Sequence, residues 1–403
     1  MASETGHSAS GRDARGPYRV MVVDDSAVVR GMTTRFIEED SELQVVASVG
    51  DGQRALDMLD RADPEVVVLD IEMPVMDGMT ALPKLVEKRP GLQVIMSSTL
   101  TKANADVTIR ALSAGAADYI AKPSNRGLGS ENDFQTQIRT KVKALAAASR
   151  RSRGGAPATR RAAPAEPARE PQRPSATATS TRQTTRPTTR EESRSAAGAQ
   201  GQIQLRRMPN SPPQIVAIGS STGGPQALFE VIGNLGAIKQ PILITQHMPA
   251  TFTALLADHI ARQAQMPCTE ARDGDAVTEG RIYIAPGGYH MLAVRDGSGL
   301  RVRLSDAEPE NFCRPSADPM LRSLVDVYGS RCLAVILTGM GSDGLKGCHA
   351  LVEAGGHVIT QDEASSVVWG MPGAVAKAGL CSAVLPLKEI ASQLRQITMR
   401  SAA

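Results

Sequence analysis

A long stretch without large apolar side chains divides this chain. From Ala146 to Gln202 there is no Val, Ile, Leu, Met, Phe, Tyr, Trp or Cys, and Ala, Pro, Ser, Thr and Arg fill most positions. Such a segment cannot bury enough surface to offset the entropy lost on ordering it. We therefore predict two folded domains joined by a disordered linker. The predicted ranges are a disordered tail at 1–17, a first domain at 18–145, the linker at 146–211 and a second domain at 212–397.

Charge is distributed unevenly between the linker and the rest of the chain. Residues 146–211 contain 13 Arg and 4 Glu, a net charge of +9, whereas the whole chain carries +3. The remaining residues therefore carry −6, which excludes the basic surface typical of nucleic-acid-binding proteins.

No apolar run approaches the ~18 residues of a membrane span, and the five Cys lack a C-x-x-C pair. We expect a cytoplasmic protein with reduced thiols, no nucleic-acid binding and no membrane insertion.

Short apolar runs alternate with helical patterns on both sides of the linker. Before the linker, five such runs predict a doubly wound parallel sheet with its site at the carboxyl ends of the strands. The predicted strands are 19–23, 44–49, 65–69, 93–96 and 118–120. After the linker, runs at 215–219, 242–246, 281–285 and 333–338 predict a second α/β domain with a mainly parallel sheet.

Polar side chains follow the predicted strands of the first domain. Asp24 and Asp25 follow the first strand, and Asp70 follows the third. The ends of parallel strands are neighbours, so these carboxylates would converge and repel one another unless a hard cation such as Mg²⁺ joins them. Ser98 and Lys122 follow the fourth and fifth strands. A hydroxyl and an ammonium beside a metal-bound carboxylate suit the stabilisation of a transferred phosphoryl group.

Helix capping is the simplest alternative for these residues, because Asp25 or Ser26 could cap the helix that follows. Capping leaves the other strand ends unexplained. With these residues, positions 18–145 resemble bacterial response-regulator receiver domains, which have a flavodoxin-like doubly wound fold. The resemblance implies that Asp70 accepts a phosphoryl group from a histidine kinase. It also implies a Mg²⁺ site made by Asp24, Asp25, Asp70 and the carbonyl of Glu72, and switch residues Ser98, Tyr119 and Lys122.

A predicted strand runs into a glycine-rich turn at the start of the second domain. Residues 219–223, Gly-Ser-Ser-Thr-Gly, match the pattern G-x-S-x-G, whose middle residue here is Ser221. In that pattern the middle Ser is exposed on a strained turn between strand and helix. A turn of this composition also suits phosphate binding, but the Lys of a P-loop is missing and G-x-G-x-x-G does not fit. Nucleotide binding therefore stays the weaker alternative.

Two other predicted strands deliver possible partners for Ser221. His247 follows the strand at 242–246, and Asp343 follows the strand at 333–338 through a short loop. Ser, His and Asp at the ends of three parallel strands can converge into a nucleophile, a base and an orienting carboxylate. Their order along the chain differs from the Ser–Asp–His order of α/β-hydrolases. A different fold would therefore reach the same chemistry.

The sequence leaves an alternative open for each member of this set. Ser220 is a rival nucleophile, and His290 is a competing base. Asp343 could instead cap the helix that follows it. Cys348 and His349 offer a thiol and an imidazole, but adjacent residues of a helix do not face each other.

Four segments of the second domain resemble the signature segments of chemotaxis protein-glutamate methylesterases. They are IGSSTGG at 218–224, TQHMP at 245–249, LTGMGSDG at 337–344 and VWGMP at 368–372. The resemblance implies a serine esterase that demethylates glutamate methyl esters on chemoreceptors and also deamidates glutamines. It assigns Ser221 as nucleophile, His247 as base and Asp343 as orienting acid, with backbone near Thr222 and Met340 binding the oxyanion. It implies no cofactor in this domain.

The resemblance also implies that the unphosphorylated receiver domain inhibits the esterase and that phosphorylation of Asp70 relieves the inhibition. A function of a different class is a phosphorylation-gated binding module without catalysis in a chemotaxis-like pathway. The complete Ser–His–Asp set argues against that alternative.

Overall fold

The computed structural model describes residues 16–99, 101–122, 131–154, 203–297 and 299–399. Most of the predicted tail and the middle of the predicted linker, residues 1–15 and 155–202, therefore lie outside the described residues. In the described part of the chain, no helix has both the length and the apolar composition to cross a membrane.

The first domain contains a five-stranded parallel sheet with strand order β2-β1-β3-β4-β5. This is the strand order of flavodoxin-like doubly wound sheets, as predicted. The strands are β1 (Tyr18–Val23), β2 (Leu43–Val49), β3 (Val66–Asp70), β4 (Gln93–Ser98) and β5 (Asp118–Ala121). The helices are α1 (Ala27–Glu38), α2 (Gly52–Ala62), α3 (Gly78–Lys88), α4 (Lys102–Ser113) and α5 (Glu131–Gly154). The central strand β3 is buried throughout because helices cover both faces of the sheet.

Helix α5 extends into the predicted linker, so the prediction of disorder is wrong for residues 146–154. Ala146 is fully buried, and Arg150 is buried as well. The Arg150 guanidinium forms an ion pair with Glu65, with Nη2 and Oε2 3.2 Å apart. The composition argument failed here because Ala favours helices strongly and because a buried Arg with a charged partner can replace an apolar side chain.

The second domain contains a seven-stranded parallel sheet with strand order β14-β13-β12-β6-β7-β9-β8. The strands are β6 (Ile215–Ser220), β7 (Ile242–Gln246), β8 (Cys268–Glu270), β9 (Ile282–Ile284), β12 (Cys332–Ile336), β13 (His357–Gln361) and β14 (Ala383–Leu385). An antiparallel hairpin of β10 (His290–Asp296) and β11 (Gly299–Ser305) lies outside this sheet. The helices are α6 (Gly224–Leu235), α7 (Ala250–Gln263), α8 (Ala317–Tyr328), α9 (Leu345–Glu353), α10 (Met371–Lys377) and α11 (Leu387–Thr398), with a 3₁₀ turn at Gly329–Arg331. The predicted mainly parallel sheet is confirmed.

Strands β12, β6 and β7 are neighbours in the middle of this sheet, and their register aligns their carboxyl ends. Ser220 pairs with Gln246, and Gly219 pairs with Ile336. The residues that follow these three strands therefore emerge at one edge of the sheet. This edge carries the candidate catalytic residues.

Candidate active site and acidic pocket

Ser221 lies where the ends of the three central strands meet. Its backbone N–H donates to the carbonyl of Thr338 (3.0 Å), and the N–H of His247 donates to the carbonyl of Ser220 (3.2 Å). The loop after β12 approaches so closely that a Cβ on Gly339 would lie 2.8 Å from the Ser221 Cβ. Glycine is required at this position, because any larger residue would displace the serine.

The rival nucleophile Ser220 faces into the protein. It is fully buried, and its hydroxyl donates to Oε1 of Gln246 (2.7 Å). Ser221, in contrast, is partly exposed. Of the two serines, only Ser221 is accessible from the surface, so the geometry favours Ser221 as the nucleophile.

The alternative base and the alternative Cys–His pair make no contact with Ser221 among the described residues. Nδ1 of the buried His290 accepts from the Ser316 N–H (3.2 Å), and its Nε2 lies 3.1 Å from the Glu308 carbonyl oxygen. Cys348 is fully buried, and burial raises the pKa of its thiol well above the usual value. His349 is exposed, on the surface of α9. None of these residues forms a nucleophile and base pair.

Asp343 is buried and accepts hydrogen bonds on both carboxylate oxygens. Its Oδ2 accepts from His247 Nε2 (2.7 Å) and from the Ala317 N–H (2.6 Å). Its Oδ1 accepts from Ser316 Oγ (2.6 Å), Asn311 Nδ2 (2.9 Å), Asp318 N–H (3.1 Å) and Gly344 N–H (2.9 Å). Because Ala317 begins α8, the carboxylate also faces the positive end of that helix dipole. A role as a helix cap alone does not account for the number of hydrogen bonds that Asp343 accepts.

The pKa values of this pair follow from its contacts. Burial acts to raise the pKa of Asp343, but hydrogen bonds from His247, Ser316 and Ala317 outweigh burial and lower the pKa to about 2. Burial acts to lower the pKa of His247, whereas its contacts with Asp343 and Cys313 raise it above the usual value. The carboxylate is therefore ionised, and its hydrogen bond to Nε2 is suited to orient the imidazole and to stabilise an imidazolium.

The second nitrogen of His247 faces a residue that sequence reasoning did not find. The Cys313 sulfur lies 3.3 Å from Nδ1. Among the described residues, no direct hydrogen bond joins the Ser221 hydroxyl to His247. In the sequence, Cys313 was only one of five unpaired cysteines. Its neighbour Asn311, which contacts Asp343, belongs to no motif, so no local signal pointed to either residue.

Two backbone amides next to Ser221 have no partner in the described part of the chain. They are the N–H groups of Thr222, in the turn after β6, and Met340, in the loop after β12. Backbone donors that are free and lie beside a nucleophile are the donors that an oxyanion hole needs. The predicted role of both amides remains a prediction.

The acidic pocket of the first domain brings together the predicted carboxylates. Oxygens of Asp24, Asp25 and Asp70 all lie within 4.8 Å of one another. Lys122 Nζ lies 2.8 Å from Asp24 Oδ2 and 2.8 Å from Asp70 Oδ2. Burial raises the pKa of Asp70, with Lys122 acting against it. A cluster of hard oxygens with one ammonium fits Mg²⁺.

The remaining predicted residues of this domain lie around the pocket. Ser98 ends β4, and its hydroxyl donates to the Thr99 carbonyl (3.2 Å). Ser26 caps α1 as the capping alternative proposed, but the three carboxylates still cluster. The Glu72 side chain is exposed, and the role of its carbonyl as a metal ligand remains a prediction. The switch candidate Tyr119 is buried in β5.

Tyr119 belongs to a contact between the two domains, which lie in one compact unit. Its ring stacks on Phe252 of α7, with centroids 4.6 Å apart and an interplanar angle of 21°. Gln226 of α6 donates from Nε2 to the carbonyls of Leu112 (3.1 Å) and Ala116. Helices α6 and α7 each begin three residues after a candidate catalytic residue. The first domain therefore packs against the helices that follow Ser221 and His247.

Comparison with known proteins gives a match in each domain. The family model of the CheB methylesterase matches residues 216–394, and that of the response regulator receiver domain matches residues 20–129. A protein-glutamate methylesterase/protein-glutamine glutaminase of Rhodospirillum centenum is 54% identical, over 96% of this chain and 95% of that protein. A protein-glutamate methylesterase/protein-glutamine glutaminase of Azospirillum brasilense is also 54% identical, over 96% of this chain and 94% of that protein. The solved CheB methylesterase catalytic domain of Thermotoga maritima is 39% identical, covering 46% of this chain and 98% of that one, with a TM-score of 0.45.

Proposed function

The chain belongs to the CheB family of protein-glutamate methylesterases with an N-terminal receiver domain, and we propose that Ser221, His247 and Asp343 carry out its hydrolysis. The substrates are glutamate methyl esters on bacterial chemoreceptors, together with glutamine side chains that are deamidated. The observation that carries this proposal is the hydrogen bond between His247 and the buried Asp343, at the edge of the sheet where Ser221 emerges.

In the proposed reaction, Ser221 Oγ attacks the carbonyl carbon of the glutamyl ester while His247 accepts its proton. Collapse of the tetrahedral intermediate expels methanol, which takes the proton from His247. Water then attacks the acyl-enzyme with the same base, and Ser221 and a free carboxylate are released. A glutamine side chain reacts in the same way, with ammonia as the leaving group.

The imidazole nitrogen that accepts the proton follows from the hydrogen bonds. Nε2 of His247 donates to Asp343, so Nδ1 is the nitrogen that can act as base. Nδ1 is in contact with Cys313, so the serine proton must reach a nitrogen that already has a thiol neighbour. The free amides of Thr222 and Met340 are the proposed donors to the oxyanion.

In the receiver domain, Asp70 is the proposed acceptor of a phosphoryl group from the chemotaxis histidine kinase. Asp24, Asp25, Asp70 and the Glu72 carbonyl would hold Mg²⁺, whose charge offsets that of the carboxylates and the phosphoryl oxygens. Lys122 contacts both Asp24 and Asp70 and is placed to contact a phosphoryl oxygen. The unpaired cysteines of the described residues agree with a reaction in the reducing cytoplasm.

The contact between Tyr119 and Phe252 suggests how the receiver regulates the esterase. Phe252 lies five residues after His247, on the first turn of α7. A receiver docked there limits the approach of a protein substrate to the active site. Phosphorylation of Asp70 would change the positions of Ser98 and Tyr119 and weaken the docking, which would activate the enzyme.

Release of methanol from methylated receptors tests the proposal. Wild-type protein should release methanol, and Ser221→Ala should lose roughly 10⁴-fold or more of the rate, because triad members act as a unit. Ser220→Ala is the matched control, since it removes a hydroxyl one residue away that faces the core. Circular dichroism should show that both variants are folded. An inactive Ser220→Ala with an active Ser221→Ala would assign the nucleophile to Ser220. No methanol release by the wild type would favour the binding-module alternative.

A further inference from the structure

Residues 310–313 form a tight hairpin turn beside the catalytic pair. The backbones of Glu310 and Cys313 exchange two hydrogen bonds (3.2 and 3.0 Å), and Asn311 and Phe312 between them have φ values of 55° and 61°. Positive φ at both central residues defines a type I′ turn, which prefers Asn at the first central position and Gly at the second. Asn311 fits this preference. Phe312 does not, because a bulky side chain is strained in the left-handed region.

Side chains on both sides of Phe312 hold the turn against the catalytic residues. Asn311 Nδ2 donates to Asp343 Oδ1 (2.9 Å) and to a second buried carboxylate, Asp318 Oδ2 (2.9 Å). Cys313 lies 3.3 Å from the base His247. The position of the turn is therefore fixed relative to the site of hydrolysis.

A second anchor holds the start of the turn. Both carboxylate oxygens of Glu310 accept from the Arg322 guanidinium, at 2.9 and 2.6 Å. Such paired hydrogen bonds add geometric specificity to an ion pair. The turn is thus held at three of its four residues, and only Phe312 is left without a contact of this kind.

The Phe312 side chain contributes nothing to the core. It is 103% exposed, the highest value among the exposed large hydrophobic residues that the structure describes, and it stays exposed while the receiver domain is docked. Folding therefore gains no packing from this ring, although the backbone is strained to present it. Strained residues that their surroundings hold in place concentrate at functional sites, and aromatic side chains are frequent anchors in protein recognition.

We propose that Phe312 contacts the protein substrate and packs on apolar side chains of the receptor segment that carries the glutamyl ester. This inference rests on the proposed function and deepens it. When the glutamyl side chain enters the site, the segment that carries it must pass over the surrounding surface, where the turn holds Phe312. A small ester reaches Ser221 without touching this ring. Phe312 thus affects substrate binding, and the triad carries the chemistry.

The substitution Phe312→Gly tests the inference, because Gly removes the ring and suits the positive φ. The steady-state rates of unphosphorylated protein should be measured with methylated receptors and with p-nitrophenyl acetate, a small ester. We expect KM for the receptors to rise ~10-fold, the loss typical of one interface anchor. Turnover of the small ester should stay within about two-fold, and the melting temperature should not fall. Phe312→Tyr, which retains the ring, should restore a receptor KM close to that of the wild type.

Val75 offers a matched control in the other domain. It is also a large apolar residue with positive φ (66°) and is 87% exposed, in the loop after β3. Val75→Gly should leave the receptor KM unchanged, and an equal rise of KM in both variants would contradict a specific contact at Phe312.

Two further outcomes would overturn the inference. An unchanged receptor KM in Phe312→Gly would show that the ring makes no productive contact. An equal loss with both substrates would show that the turn only positions the catalytic pair. A wild-type enzyme that releases no methanol from receptors is a different result, which overturns the proposed function itself.

Discussion

The two carboxylate sites of this protein lie at equivalent edges of two parallel sheets, but they differ in how fully the negative charge of the carboxylates is compensated. Asp343 has hydrogen-bond donors on both carboxylate oxygens, and its pKa is lowered to about 2. Asp70 shares its pocket with Asp24 and Asp25, and burial raises its pKa. The protein itself supplies the hydrogen-bond donors around Asp343 and the imidazole that can carry a positive charge. The pocket of Asp70 has one Lys for three carboxylates.

The difference suits the two kinds of chemistry that we propose for these sites. An orienting carboxylate must keep one geometry and one charge throughout the reaction, which many fixed donors ensure. A phosphoryl acceptor must admit a cation and a transferred group, which requires a site whose charge is incomplete without them. We call Asp343, whose two oxygens both have fixed donors, the saturated site, and Asp70, whose pocket lacks compensating charge, the unsaturated site.

Of the substitutions in the two carboxylate sites, Asp343→Asn is expected to cause the larger loss of esterase activity, though a smaller one than Ser221→Ala. An amide cannot stabilise the imidazolium of His247, and its NH₂ group would face the N–H donors of α8. The turnover number should fall ~10⁴-fold, as in other triads that lose their acid, measured with a small ester. Asp318→Asn is the matched control, because Asp318 is buried in the same cluster but its carboxylate accepts hydrogen bonds from Asn311 and Gly347 and not from His247. Equal losses in the two variants would show that the cluster acts only through folding.

Replacing the acceptor of the unsaturated site should abolish phosphorylation without removing the esterase. Wild-type protein should take up phosphate from acetyl phosphate only when Mg²⁺ is present, because the three carboxylates otherwise repel the incoming group. Asp70→Asn should take up none, and its methanol release should stay at the level of the unphosphorylated enzyme. Retained labelling of Asp70→Asn would move the acceptor to another residue, and labelling in excess chelator would exclude the proposed metal site.

The pH dependence should reflect the saturated site. His247 must be neutral to accept a proton, and its pKa is raised, so kcat/KM should still be increasing with pH above 6.5, the usual value for imidazole. Contact with Cys313 is one cause of the raised pKa. Cys313→Ala should therefore move the acidic limb of the pH–rate profile to lower pH, whereas Cys313→Ser should move it less. A limb at the same pH in all three proteins would contradict a role for the thiol contact.

The smallest effect concerns the contact between the domains. Gln226→Ala removes two hydrogen bonds to backbone carbonyls of the receiver domain, each worth about 0.5–1.5 kcal/mol. Docking should weaken, and the activity of unphosphorylated protein should rise about 2- to 10-fold. Gln240→Ala is the control, since Gln240 donates to two carbonyls, of Pro213 and Thr398, within the second domain. It should lower stability without raising activity. A Gln226→Ala variant with wild-type activity would argue against inhibition by docking.

Local patterns in the sequence were sufficient to predict the two parallel sheets and the residues that lie at the carboxyl ends of their strands. Continuous apolar runs such as that of β3 predict buried parallel strands, because both faces of such strands are covered. Once the strands are parallel, the residues that follow them must meet at one edge. The clustering of Asp24, Asp25 and Asp70 and the pairing of His247 with Asp343 both agree with this argument.

The sequence did not determine which loop completes the site or where the linker begins. Cys313 and Asn311 contact His247 and Asp343 from a turn that is distant from them in sequence, and neither residue belongs to a sequence motif. The extension of α5 depends on the partner of Arg150, a contact that composition does not reveal.

The two α/β domains, the acidic pocket and the candidate Ser–His–Asp set could be inferred from the sequence, because they depend on periodicity and on strand ends. The orientation of Ser220 toward the core, the contact of His247 Nε2 with Asp343 and the stacking of Tyr119 on Phe252 became visible only in the folded protein. These contacts join residues that are distant in sequence. They depend on side-chain directions and loop paths, which are fixed by packing and have no counterpart in the periodicity of the chain.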